Sequence, residues 1–286
     1  MLISVVIITK NEEANIARTL DSVQAIVKDG RGEIIIVDDG STDRTREIAG
    51  SLGAKVYCEA WKGYAGQKNS AIEKAQGEWI LSLDGDEELE PSLADEIERV
   101  LGGQCSRTPK GSLEVVEEEM AIEEDQARRG PGSPVGYWMP RKNHFLGRWI
   151  KHGGFWPDPK LRLFRKSAGR FEDRAVHEDV KIEGGITESF HGAIVHHSYP
   201  TLSEYVRHMN EYSTLGAQMA IDKGYKGLSF VDIVLRPVAT FIYNYFFRLG
   251  FLDGREGLQL HIYHAVYVSW KYAKVWELSR VPTNRT

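Results

Sequence analysis

The chain predicts an α/β fold, a Rossmann-like and mostly parallel sheet with helices on both faces, followed by a helical C-terminal extension. Three observations predict it. Short apolar runs alternate with helical apolar spacing through the first hundred residues, each run ends in a polar and largely acidic cluster, and long helical patterns rich in aromatics follow Tyr199. Runs that are apolar on both faces and separated by helices form parallel strands covered from both sides.

The elements follow in order. Ile3 to Ile8 reads as a buried strand, followed by a helix whose inner face carries Ile16, Leu20 and Val23. Glu33 to Asp39 gives a second strand and Thr42 begins a second helix; Lys55 to Ala60 precedes the helical run from Gly66 to Gln76. Glu78 to Leu83 is the fourth strand, and the next helix opens at Pro91, with Leu93, Ile97 and Val100 on one face. Between Gly102 and Gly136 the periodicity fails and seven acidic residues gather from Glu114 to Asp125, which reads as an insertion with a solvated charge run. From Tyr137 to Arg174 ten Lys or Arg face three Asp or Glu, a local positive field that draws an anionic ligand. The expected organisation is a domain over residues 1–200, interrupted by the 102–136 insertion, and a helical extension over 201–286.

Composition removes several classes. With 286 residues, 42% apolar and 27% charged, the chain is an ordinary globular protein able to bury its own core. A formal charge of −5 argues against a dedicated nucleic-acid binder. The two cysteines, Cys58 and Cys105, make neither a disulfide framework nor a four-cysteine zinc site, and suit a reducing, cytoplasmic setting. The first residues lack a charged start and small-residue cleavage site, and the most apolar stretch, Leu228 to Leu252, is broken by charged residues and proline.

In an open parallel sheet, ligands bind outside the carboxyl ends of the strands. Here those ends carry Thr9-Lys10-Asn11-Glu12, Asp38-Asp39-Gly40-Ser41 and Asp84-Gly85-Asp86-Glu87. Carboxylates bunched on one rim repel unless a cation or hydrogen-bond donors compensate. Asp84 and Asp86, flanking a glycine that lets the backbone bend, suit Mn2+ or Mg2+ shared with diphosphate oxygens and water. Asp43 and Ser41 fit a turn and helix cap, while Asp39 is an acceptor for a base or ribose hydroxyl. Arg162 and Arg165 flank an apolar alternation, as candidates either to clamp a diphosphate or to salt-bridge the acidic rim. His196 and His197 end a later apolar run and are candidates for packing or for metal ligation.

The segments TKNEE, IVDDGSTDRT and GQKNSAIEKAQGEWILSLDGDE, in this order and spacing, resemble family 2 glycosyltransferases of the GT-A fold. The resemblance continues through GFWPDPKLRLFRK, FEDRAVHEDV and IVHHSY, toward a branch that includes lipopolysaccharide core β-glucosyltransferases. It implies inverting transfer of a sugar from a nucleotide-diphosphate donor, usually with a divalent metal, and UDP as the common nucleotide of that branch. By position, it makes Thr9, Glu12 and Asp39 nucleoside contacts with Asp38 beside them, and brings Lys68 to the diphosphate or base. Asp84 then lies near ribose and sugar and Asp86 ligates the metal; in some GT-A enzymes a histidine near His196 or His197 completes its shell. The general base falls in His177-Glu178-Asp179: the Val-His-Glu pattern of the branch selects Glu178, and the Glu-Asp pair of other members selects Asp179.

The extension admits two readings. Phe241, Tyr245 and Leu249 at helical spacing fit core or homodimer contact. Arg236, Arg248, Lys271 and Lys274 beside Trp270, Tyr272 and Trp276 fit a helix lying on anionic lipid, as a lipid-linked saccharide acceptor on the cytoplasmic face of an inner membrane requires. A sugar-nucleotide pyrophosphorylase would show a Gly-rich phosphate loop where TKNEE stands, and a receiver domain would end well before residues 177–179. The remaining alternatives are a polyprenyl-phosphate glycosyltransferase and an inactive nucleotide-binding scaffold.

Overall fold

The computed structural model describes residues 1–103, 133–172, 179–225 and 229–280. They fall into two compact units, one of Met1–Arg141 with Pro159–His196, the other of Lys142–Asp158 with His197–Thr286. The larger part of the expected 102–136 insertion lies outside the described residues.

In chain order the strands are β1 (Ile3–Thr9), β2 (Gly32–Asp38), β3 (Lys55–Cys58), β4 (Trp79–Asp84), β5 (Glu87–Leu89), β6 (Pro134–Met139) and β7 (Arg141–Phe145). They continue as β8 (Arg148–Trp149), β9 (Lys160–Arg165), β10 (Gly169–Phe171), β11 (Val180–Ile182), β12 (Ile186–Ser189) and β13 (Ile194–Tyr199). The helices are α1 (Ile16–Val27), α2 (Thr45–Ser51), α3 (Tyr64–Lys74), α4 (Pro91–Leu101), α5 (Leu202–Asp222), α6 (Arg236–Ile242) and α7 (Gly254–Arg280).

The first unit is built on a seven-stranded sheet in the order β12-β6-β9-β4-β1-β2-β3. Strands β1 to β4 run parallel, as their two-sided apolar sequences dictate, and β9 enters antiparallel between β4 and β6. Ile3, Ile7, Ile36 and Leu81 are fully buried with Ile16 and Leu20 of α1, so one face of the sheet is sealed by α1 and α4. Val6, Ile35 and Ile80 on the other face pack with Ala65 and Ala71 of α3. Gly77, just before β4, is required by close approach: a Cβ there would come within 2.4 Å of the backbone of Ile3 and Ser4. Strand order reverses at β1, with β2 to one side and β4 to the other, the position at which such sheets open a ligand crevice.

In the second unit, α5 begins with a capping box in which Thr201 and Glu204 satisfy each other's backbone N–H groups. Residues Val231–Phe247 form one helical segment, α6 with a π-helical turn at each end, and α7 follows. The core contains Phe145, Ile150, Tyr205 and Leu260. Phe145 and Ile150 pack here, and Lys142–Asp158 belongs to this unit.

Candidate active site

Register places the polar strand ends side by side: Thr9 opposes Asp38, and Ile8 opposes Asp84. Thr9 Oγ1 donates to Asp38 at 3.0 Å. Asp38 is fully buried; its Oδ1 accepts the Ser41 N–H at 2.8 Å, and its Oδ2 accepts the Ser41 hydroxyl. The carboxylate therefore braces the loop after β2, a local turn that Asp and Ser favour. Asn11, in the left-handed region with φ 57°, gives its N–H to the Ser41 hydroxyl at 2.8 Å and accepts the Thr42 N–H at 2.8 Å. Two loops on neighbouring strands are thus tied into one rim. Asp39 stands on that rim and pairs with the exposed Lys10 at 2.7 Å.

Glu12 accepts from Asn15 at 2.9 Å, and its backbone N–H donates to Thr45 at 2.8 Å. Burial pushes its carboxyl up to about 7, reinforced by Asp86, Asp84 and Asp43 and opposed by the Asn15 bond. The acidic rim carries the mutual repulsion its sequence implies.

Asp84 closes β4, and two buried cations meet it: Lys68 from α3 at 2.9 Å and Arg162 from β9 at 2.7 Å. Burial alone would raise this carboxyl, but Arg162 and Lys68 hold it well below the ordinary range. Arg162 also reaches Glu87 at 2.7 Å, and Glu87, fully buried, takes Arg141 at 3.0 Å. Burial opposes the charge on Arg162, and Asp84 and Glu87 more than restore it. Two carboxylates and three cations, Lys68, Arg141 and Arg162, form a compensated buried cluster, the condition under which buried charge is tolerated.

Asp86 lies beyond Gly85, whose own Cβ position would sit 2.9 Å from Glu12 Cγ and whose carbonyl accepts from Thr19 at 2.9 Å. The antiparallel pairing of β5 with β13 sets His196 opposite Glu87, and His196 Nε2 comes within 3.2 Å of Asp86. Burial would raise the Asp86 carboxyl; His196 outweighs it and lowers it.

Two expected residues stand elsewhere. Arg165 opposes Trp79 at the amino end of β4, stacks over its ring at 4.2 Å and pairs with Glu78, so it is far along the strand from Asp84 and does not join Arg162. The period of two along a strand carries His197 to the face opposite His196, where it stacks on His144 with centroids 5.4 Å apart. It is not part of the Asp86 pair. Glu178 lies outside the described residues. Asp179, just before β11, accepts the Glu172 N–H through its carbonyl at 3.1 Å.

Among the described residues, no group of three or more His, Cys, Asp or Glu side chains converges as a metal cage. Asp84 is met by two cations, so the side chains that could hold an ion are Asp86 and His196. Such a set fits an ion that takes its remaining ligands from diphosphate and water, as Mg2+ commonly does, rather than one held by protein alone.

Residues 4–169, more than half of the chain, match the family described as Glycosyl transferase family 2. The chain belongs to this family. It is 32% identical over 287 residues to an uncharacterized glycosyltransferase of Rickettsia typhi, covering 97% of this chain and 87% of the relative. It is 27% identical over 281 residues to the lipopolysaccharide core biosynthesis glycosyltransferase LpsC of Rhizobium meliloti, covering 96% and 92%. A solved structure of the mannosyltransferase PcManGT from Pyrobaculum calidifontis, in complex with GDP-Man and Mn2+, aligns with a TM-score of 0.49 at 14% identity, over 96% of this chain and 86% of that one.

Sequence reasoning placed Glu87 on the acidic rim without its partners, and did not single out Arg141. Glu87 follows the Asp-Gly-Asp turn and is visible as a carboxylate, yet its partners lie 54 and 75 residues away. The signal available was a charged residue opening a strand otherwise destined for burial.

Proposed function

We propose that this glycosyltransferase moves a hexose, with inversion, from a UDP-sugar to a saccharide or lipid-linked acceptor in lipopolysaccharide core or related cell-envelope synthesis. The observation that carries the reading is the convergence of Thr9, Glu12, Asp39, Asp84 and Asp86 at the carboxyl edge of β1, β2 and β4, beside the buried cations Lys68 and Arg162. Alignment with LpsC over most of both chains supports the acceptor class.

In this reading Asp39 and Glu12 receive hydrogen bonds from the nucleoside, while Thr9 and Asp38 hold the loop that presents them. A protonated Glu12 carboxyl, accessible near neutrality, also donates one hydrogen bond. Asp84, locked by Lys68 and Arg162, fixes the turn that presents Asp86. Asp86, with His196 beside it, would hold Mn2+ or Mg2+, which when bound supplies positive charge to the departing diphosphate. Glu178, or Asp179 beside it, takes the proton of the acceptor hydroxyl as its oxygen bonds to the anomeric carbon and the bond from that carbon to the diphosphate oxygen breaks.

Calorimetric titration with UDP and with GDP, each in Mn2+ and in chelator, tests this without an acceptor. Metal-dependent binding of UDP is the expected result. Binding of neither nucleotide under any condition would remove the donor reading and favour an inactive scaffold.

A further inference from the structure

We propose that the outward face of the helical segment Val231–Phe247 and the turn after it is a docking surface that lies flat on an anionic lipid bilayer. The inference is independent of the nucleotide site.

The segment is inside out. A helix on a protein surface ordinarily turns its apolar stripe inward and its polar residues to water. Here Val231, Leu235, Val238, Ile242 and Phe246, at steps of three and four that keep them on one face, are each 42% to 53% exposed. The residues turned inward include Asp232, Pro237 and Asn244, and the neighbouring Ile233 and Arg236 tie the segment to α7: Ser269 Oγ donates to the Ile233 carbonyl at 3.2 Å, and Arg236 donates to the Tyr272 hydroxyl at 2.9 Å. The end of the segment is the most exposed, with Phe247 at 76%, and Leu249 and Leu252 continue the patch at 47% and 51%. Contiguous apolar patches of this kind mark protein or membrane contacts.

Charge selects the occupant. From Phe230 to Arg255 the acidic residues are Asp232 and Asp253, both buried: Asp232 bonds Ser229 and Arg236, and Asp253 accepts the Lys151 and His152 N–H groups. The basic residues Arg236, Arg248 and Arg255 are exposed; Arg236 is held by Asp232 and Tyr272, which leaves Arg248 and Arg255 for an anionic partner. A second copy would bring this same face with no exposed carboxylate to answer Arg248 and Arg255, whereas anionic headgroups answer them and the acyl boundary takes Phe246 and Phe247. Tyr243, 55% exposed with Arg248 over its ring at 5.3 Å, has the amphipathic character that suits the boundary.

The surface keeps Arg248 of the cations that the sequence suggested but not Lys274. Lys274 is committed to α5, where it donates to Asn210, Ser213 and Thr214, so it is not a cation on offer to lipid. Among the described residues no helix is long and apolar enough to cross a membrane, and the apolar stripe occupies one face only, as a helix lying in the interface requires.

The test is flotation of the full chain with vesicles of phosphatidylcholine alone and of phosphatidylcholine with about one-third phosphatidylglycerol. The wild type should float with the anionic vesicles. The double variant Phe246→Ser/Phe247→Ser should lose partition by about tenfold or more, with unchanged circular dichroism and melting temperature because both side chains are exposed. Arg248→Gln should weaken binding to the anionic vesicles and leave any binding to neutral ones unchanged. Failure of the wild type to float, or equal flotation of the double variant, overturns the proposal. A wild-type dimer in sedimentation equilibrium that this double variant dissociates, without vesicle binding, would assign the face to a second copy instead.

Discussion

Arg162 Nη2 donates to Asp84 and to Glu87, at 2.7 Å each, so one guanidinium nitrogen clamps both arms of the Asp-Gly-Asp turn. Arg162 and Glu87 are buried, and removing the guanidinium leaves on Glu87 a charge that water does not reach. Lys68 and Arg141 remain to share it, so Arg162→Met should cost about 3 kcal/mol, the lower end of what breaking a buried ion pair costs. Urea denaturation of the apoprotein reads this directly. A loss under about 1 kcal/mol would mean that Lys68 and Arg141 carry the cluster alone.

Asp86 and His196 make a different prediction, because His196 meets Asp86 at 3.2 Å whereas Asp84 is met by two cations. Asp86→Ala should abolish the metal-dependent part of UDP binding and leave binding in chelator unchanged. His196→Gln should weaken the ion's affinity by about 10-fold or more, the scale for loss of a coordinating partner. Both are read by titrating Mn2+ at fixed UDP. Retained metal dependence in Asp86→Ala would exclude it as the ligand.

The sheet and the rim were legible because they are local. Two-sided apolar runs name parallel strands, and the residues after each run fall at the carboxyl edge wherever the strands pair in register, which brings Thr9, Asp38 and Asp84 together. What the sequence did not carry is long-range side-chain choice. Arg162 and Arg165 are alike in type and three residues apart, yet one clamps Asp84 and the other stacks on Trp79 at the strand's far end. His196 and His197 separate for the simpler reason that adjacent strand residues face opposite ways. The inverted face of Val231–Phe247 was hidden because an apolar stripe reads the same whether it points to core or to water.

The base is tested by exchange. Glu178→Gln should keep UDP affinity and lower turnover by about 100-fold or more, the usual scale for loss of general-base catalysis. Asp179→Asn should lower turnover less. The reverse pattern, an active Glu178→Gln with an inactive Asp179→Asn, would transfer the role to Asp179.

Gly85 joins the metal turn to the nucleoside rim. An alanine Cβ would press within 2.9 Å of Glu12 Cγ and 3.3 Å of Thr9 Cγ2. Gly85→Ala should therefore weaken UDP binding by about 10-fold, since sub-ångström displacement of positioning groups is enough to do so. Calorimetry with Mn2+ checks it, and unchanged affinity would show that Glu12 moves aside freely.

His261 sets an acid limit on the second unit. It is 1% exposed, neither ring nitrogen has a hydrogen-bond partner among the described residues, and a Cβ on Gly153 or Gly250 would come within 2.1 or 2.3 Å of the ring. Burial lowers its pKa from 6.5 to about 4, His264 adding to the effect and Asp253 opposing it. The folded ring is therefore harder to protonate than the unfolded one. Above pH 6.5 both are neutral and the stability is complete; as pH falls from 6.5 towards 4 the unfolded chain takes up a proton that the folded chain refuses. Each pH unit in that window costs about 1.4 kcal/mol, so the total is on the order of 3 kcal/mol. His261→Leu removes this titration while keeping a buried apolar side chain. Urea denaturation of both proteins at pH 8, 6 and 4.5 should show the wild type losing on the order of 2 kcal/mol more than the variant on acidification. Parallel losses would mean that the ring finds a way to water before the unit unfolds.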